Sequence, residues 1–154
     1  MMPKLTAEQV NQSIRESLPR IDHHGEIVEH VGDGELRMRL PFNEAYVGRD
    51  TWLNTGHYVF SGPMVMGLAD TAMYACMRAT YGAEAVGIIQ TMTLNFLRPA
   101  ASADVIAQVR IVRWGKRSLY LETYLYSEGV PEPITHVTAT AVLRYSSGPD
   151  TQTV

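Results

Sequence analysis

Residues 64–81 read MVMGLADTAMYACMRATY, and this stretch decides how the chain must fold. Its only charged residues are Asp70 and Arg78. Small side chains (Gly67, Ala69, Thr71, Ala72, Ala75, Cys76, Ala79) are spread around much of the circumference a helix would have. A helix that is apolar or small on nearly all sides is wrapped by other elements. Gly67 costs such a helix roughly 0.5–1 kcal/mol relative to alanine, a cost that a close backbone approach would justify. Ser61 suits the N-cap and Pro63 the first turn. In those surroundings an ionised carboxylate costs several kcal/mol unless it is paired or used. Perturbed carboxylates cluster at functional sites, so Asp70 is the first candidate reactive group. The alternative is a capped or paired structural carboxylate.

Beyond Gly82 and Gly87 the hydrophobic period changes to two. Strand patterns cover 87–98, 103–114, 117–127 and 133–145, with Leu119, Leu121, Thr123 and Leu125 alternating against Tyr120, Glu122, Tyr124 and Tyr126. Tight connections at Trp114–Gly115–Lys116 and Glu128–Gly129 imply antiparallel hairpins, and the connection after Pro99 is similarly short. On the other side of the helix, residues 24–31 and 35–40 read as two strands around a Gly32–Asp33–Gly34 turn. Residues 41–61 show no clean period and suggest a long ordered loop, often a functional element. Near the N-terminus, Thr6 and Gln9 form a potential capping box ahead of Val10, Ile14 and Leu18, predicting a helix over about 6–18 that Pro19 ends. One flat sheet cannot cover a helix on every side. The pattern therefore predicts an α+β fold with a curved antiparallel sheet of five to six strands wrapped around a long central helix, a second copy closing the far side.

A chain of 154 residues fits a single domain spanning 1–154, with a polar tail over 146–154. A net charge of −3 argues against a general nucleic-acid binder. The lone Cys76 excludes a disulfide framework and reads as core. No apolar run approaches the ~20 residues of a membrane span, and the first residues lack a signal core, so a cytoplasmic protein is expected.

Gly62, at the helix entrance, offers an N–H unshielded by any side chain, a potential donor to a carbonyl or oxyanion. Gly62 and Asp70 are eight residues apart, about 12 Å along a helix axis. One helix cannot present both to one small carbonyl. Two antiparallel copies could, with Gly62 of one facing Asp70 of the other, making two composite sites in a homodimer. A second cluster, Arg110, Arg113, Lys116 and Arg117, gathers four of the thirteen Lys and Arg residues at a hairpin, with no acid between Asp104 and Glu122. Such a positive end suggests phosphate contacts, and with the carboxylate and the glycine it points to an acyl carrier such as coenzyme A. His23, His24 and His30 match no metal-ligand spacing and read as strand-edge residues, so no metal or other cofactor is implied. His57, in the long loop, could touch substrate or act as acid or base.

The run SGPMVMGLADTAMYAC, then TLNFLRPA and VRIVRWGKRSLYLE, resembles the PaaI-like (phenylacetate-degradation type) hotdog-fold acyl-CoA thioesterases over roughly residues 25–145. That resemblance implies a hotdog fold, thioester hydrolysis, and a homodimer often paired into a tetramer. It puts Gly62 at the oxyanion glycine and Asp70 at the catalytic acid. It puts Phe96, Arg113, Trp114, Gly115, Lys116, Arg117 and Ser118 at positions that contact coenzyme A. Ser61 stands where the family usually has histidine, and Pro63 replaces a second glycine. The water-holding asparagine corresponds imperfectly: Asn54 is one residue out of register, with Thr55 at the aligned place. Two further readings stay open, a hydratase or dehydratase using His57 with Asp70, and an acyl-CoA-binding protein without turnover.

Overall fold

A computed structural model describes residues 1–49 and 58–146. Its elements are α1 (Ala7–Ser17), β1 (Ile27–Val31), β2 (Glu35–Leu40), β3 (Val47–Arg49), β4 (Tyr58–Phe60), α2 (Gly62–Tyr81), β5 (Ala85–Phe96), β6 (Val105–Trp114), β7 (Ser118–Ser127) and β8 (Thr135–Tyr145). The capping box forms as the sequence suggests: Thr6 accepts from the Gln9 N–H while the Gln9 side chain accepts from the Thr6 N–H. The helix α2 starts at an N-cap, Ser61, whose hydroxyl accepts from the Met64 N–H, and ends at Gly82, which has a left-handed φ of 86°.

Six strands form one antiparallel sheet in the order β1-β2-β6-β7-β8-β5. The helix α2 packs on β1 and β2 at one end of that order and on β5 at the other, as well as on β6 and β7. A flat sheet of this size would be roughly 24 Å wide at ~4.8 Å per strand gap, far wider than the ~10 Å helix. The sheet must therefore curl around it. Register shifts in β1 (Val28/His30), β5 (Ile89/Thr91) and β6 (Ile111/Arg113) supply bending points. The core is contiguous from Val10 and Ile14 through Met38, Leu40, Leu68, Met73 and Met77 to Leu121, Leu125 and Val137. This is the hotdog architecture that the pattern and the resemblance led one to expect.

Three expectations need correction. The short connection after Pro99 is not a hairpin: β5 pairs with β8 along its whole length and not with β6, so residues 97–104 carry the chain past β8 and β7 to the middle of the sheet. Periodicity finds a strand but carries no information about its neighbour. The long loop is also more structured than its composition suggests. Glu44–Tyr46 forms a short 3-10 turn, and β3 pairs with β4. Finally, residues 24–26 precede β1 rather than belonging to it, and Gly25 turns the chain there with φ 82°.

The two sheet edges differ. The β1 edge is covered by α1, whose Asn11 side chain donates to the Val28 carbonyl (3.0 Å) and accepts from its N–H (2.8 Å). The β5 edge has no covering strand or helix among the described residues. Its exposed apolar residues include Val86, Ile88 and Phe96. The helix likewise has one face that its own sheet does not cover: Pro63, Met66, Gly67 and Asp70 are exposed, followed by half-buried Tyr74 and Arg78. The expected wrapping of α2 is thus complete on the sheet side only. A Cβ on Gly67 would meet nothing within 4 Å, so no close approach among the described residues accounts for that glycine.

Candidate active site

Asp70 lies midway along the open face of α2. The helix fixes it between Gly67 and Tyr74, and together they line a cavity of about 420 Å3 with Met64, Leu68, Thr71, the start of β5 at Gly87–Ile89, and the N-terminal segment carrying Leu18, Asp22, His24 and Glu26. The carboxylate keeps an exposed tip, but protein surrounds enough of it that burial raises its pKa above the usual value, and the negative charge of Asp22 adds to that. No hydrogen bond or ion pair to Asp70 is present among the described residues, so the capped or paired structural alternative has no support there. A carboxylate in this state is a stronger base than an ordinary one once ionised.

Gly62 opens the helix in a different concavity. That second cavity, about 400 Å3, is lined by Gly62, Val59, Phe60, Val65, Phe96, Leu97 and the start of β8. A Cβ on Gly62 would lie 3.9 Å from the Phe96 ring, so two residues proposed for the site meet here. The entrance is anchored from behind: the Ser61 N–H donates to the Tyr46 carbonyl at 2.7 Å, and the Tyr46 ring packs against Phe60. The chain thus presents its amide donor and its carboxylate in separate cavities.

The turn carrying Gly115, Lys116 and Arg117 joins β6 to β7 at the opposite end of α2. Trp114 packs on Tyr81, the last residue of the helix, with ring centroids 6.1 Å apart. Within one protomer this turn is therefore about a helix length, roughly 28 Å, from Gly62. Arg110 is held by Glu122 at 2.7 Å, whereas Arg113, Lys116 and Arg117 have no ion-pair partner among the described residues. Ser118 begins β7 beside them. Asn54, Thr55 and His57 lie outside the described residues.

Other candidates resolve as structure. Cys76 is fully buried, and desolvation pushes its thiol up to about 12, which removes it as a nucleophile. Met73 and Met77 are core, while Met64 lines the Asp70 cavity and Met66 is exposed. No group of three or more potential metal ligands occurs among the described residues. The ring of His23 bonds the Leu18 carbonyl, and that of His24 bonds Glu26. Sequence reasoning passed over Asp22, His24 and Glu26 as components of the Asp70 cavity. The available signal was a polar DHHGE run, rich in titratable groups, immediately before the first strand.

Comparison with known proteins places this geometry. The profile of the Thioesterase superfamily matches residues 57–134. A protein of Halobacterium salinarum described as a "putative esterase" is 31% identical over 103 residues, covering 62% of this chain and 65% of the relative, so the match spans just under two thirds of that protein. Among solved structures, a Silicibacter protein described as a "putative thioesterase" is 27% identical with a TM-score of 0.78, covering 94% of this chain and 95% of the other. A Haemophilus influenzae thioesterase (18% identical, TM-score 0.79, 97% and 99% covered) shares the fold. So does the PaaI protein of the E. coli phenylacetic acid degradation operon (16%, TM-score 0.72, 88% and 91%). The apolar helix with its exposed acid, the curled six-stranded sheet around it and the profile match agree: the chain belongs to the Thioesterase superfamily and has the hotdog fold.

Proposed function

We propose that the protein is an acyl-CoA thioesterase of the PaaI-like type, acting as a homodimer with two composite sites. The observation that carries this reading is the separation of Gly62 and Asp70 into different cavities along one helix, whose face at Met66, Gly67 and Asp70 is exposed. Two such helices packed antiparallel bring each Gly62 to the level of the partner's Asp70. The bare β5 edge, with its exposed apolar residues, offers the adjoining surface for the same partner. A hotdog dimer of this kind would bring another backbone up to Gly67, supplying the close approach absent among the described residues.

In the composite site the Gly62 N–H polarises the thioester carbonyl and stabilises the oxyanion as it develops. The partner's Asp70 either takes a proton from water as that water attacks, or attacks the carbonyl itself and forms an anhydride that water then opens. In the first course the C–S bond then breaks and the proton passes to the departing thiolate; in the second the C–S bond breaks as the anhydride forms, and the thiolate leaves and takes a proton from solvent before water opens the anhydride. Phe96, beside Gly62, would flank the thioester arm. From the partner's Asp70 its helix continues eleven residues, ~16 Å, to the end carrying the basic turn. That distance has the scale of an extended pantetheine arm. Arg113, Lys116 and Arg117 of the subunit that supplies Asp70 are thus the cations in reach of the nucleotide phosphates, with Trp114, Gly115 and Ser118 shaping the turn. A dimer of dimers is a compatible larger assembly.

The test is free-thiol release across a panel of aryl, short-chain and medium-chain acyl-CoA substrates, with molecular mass measured in parallel. Hydrolysis by a dimer is expected. Tight binding of acyl-CoA with no thiol release would instead leave a binding protein, and full activity from a monomer would remove the composite site.

A further inference from the structure

The N-terminal segment brings an imidazole–carboxylate pair into the Asp70 cavity. Glu26 is half-buried as a residue, but its side chain is only 7% exposed, and both of its oxygens are committed to one residue. One accepts from the His24 backbone N–H at 2.8 Å, and the other meets the imidazole Nδ1 at 3.1 Å. Gly25, with φ 82°, makes the turn that lets a side chain reach back over two residues in this way. An ionised carboxylate can only accept, so Nδ1 carries the proton and Nε2 presents a lone pair. The ring is held on its other side by Tyr46, whose ring meets it edge-on at 6.2 Å and whose hydroxyl donates to the His24 carbonyl at 3.4 Å. His24 and Glu26 line the same cavity as Asp70.

We infer that His24, oriented by Glu26, is a positioning residue for hydrolysis: with Asp70 of its own subunit it holds the attacking water. This rests on the reading of Asp70 as the base. A water with one hydrogen on the Asp70 carboxylate and the other on His24 Nε2 has both donors engaged, leaving an oxygen lone pair for the thioester carbon. Asp70 takes the proton as the C–O bond forms; His24 keeps the water's orientation and is unchanged at the end. Protonating His24 turns Nε2 into a donor and dismantles the arrangement. Among the described residues, the charged or titratable groups around the imidazole are Asp22 and Glu26 on its own segment, Asp70 and Tyr74 on α2, and Tyr46 in the loop before β3; there β5 contributes Gly87, Ile88 and Ile89.

The test uses the intact protein and four forms: wild type, His24→Gln, Glu26→Gln and Asp70→Asn. In Glu26→Gln the amide oxygen is needed by the His24 N–H, which turns the NH2 toward Nδ1 and forces the opposite tautomer. Both His24→Gln and Glu26→Gln should lose about 10²-fold in kcat with KM little changed, the size of effect that misplacing a reacting group produces. The acid limb of log kcat against pH should fall from a two-proton to a one-proton slope in His24→Gln. Nitrogen NMR of the imidazole, which needs no turnover, should show Nδ1–H in the wild type and Nε2–H in Glu26→Gln. If His24→Gln keeps the wild-type rate and slope while Asp70→Asn is inactive, this inference fails alone. An Nε2–H tautomer in the wild type overturns it whatever the rates. Full activity in Asp70→Asn overturns both it and the proposed base.

Discussion

Asp70 illustrates how a residue suited to chemistry is set against stability. Its pKa is raised by burial and by Asp22, so the folded state disfavours its ionised form relative to the unfolded chain. The sign follows from linkage: this group's contribution is fully favourable below the unfolded pKa and is lost as pH rises through the higher folded value. Replacing it with asparagine removes that penalty. Asp70→Asn should therefore lower thioester turnover by orders of magnitude while leaving the melting temperature at pH 7 unchanged or higher, which parallel kinetics and thermal melts will show. The same raised pKa predicts that wild-type kcat climbs with pH through a value above that of an ordinary aspartate. The polar DHHGE run and the LAD motif are both plain in the sequence. That Glu26 folds back on His24 and that both line the Asp70 cavity is not, because Gly25 turns the chain through a conformation that periodicity does not record.

Among the elements, α2 and the β1–β2 turn make opposite predictions for glycine. Gly34 has φ 65°, and a Cβ there would come within 2.3 Å of the Trp114 ring, which is in turn packed on Tyr81. Gly34→Ala should cost about 2 kcal/mol or more, read from denaturant unfolding, because both backbone and ring must shift. Gly67 sits in an ordinary helix interior with open space beside it. In an isolated chain Gly67→Gln should stabilise α2 by about 0.5 kcal/mol through helix propensity alone. If α2 faces a partner helix, the same change must disrupt dimers. We expect sedimentation to show monomer and the thiol-release assay to lose activity; a stabilised, fully active dimer would show that the open face of α2 is not the interface. The helices and six sheet strands could be located from caps and alternation. Their lateral order could not, since β5 leaves its sequence neighbour β6 to pair with β8.

For the molecule as a whole, charge is arranged by face. Arg39 reaches Glu29, Asp104 and Glu128, tying β1, β2, the start of β6 and the β7–β8 turn on the outer side of the sheet. Hydrogen bonds from the Phe42 N–H and Arg39 hold Asp104 below the usual carboxylate range, and partners likewise lower Glu29 (chiefly Arg39) and Glu122 (chiefly His136). Depressed carboxylates stabilise the fold above their unfolded pKa and lose that contribution as pH falls through the lower folded value. Acid unfolding should thus begin below about pH 4.5, the region where free carboxylates titrate, and Arg39→Met should move its midpoint upward in pH-dependent melts. At the far end of α2, Lys116→Ala and Arg117→Ala should raise KM for acyl-CoA, more so at low ionic strength, with kcat nearly intact; a change confined to kcat would remove these cations from phosphate binding. What the sequence by itself determined is local: a long apolar helix with one misplaced acid, alternating strands around it, and the eight-residue spacing that forbids one helix from serving both sides of a carbonyl. Tertiary structure alone decided which edge of the sheet is left bare, which face of α2 is open, and which distant segment lines the Asp70 cavity. Those depend on contacts between residues far apart in the chain, and hydrophobic periodicity specifies how a segment is buried without specifying what buries it.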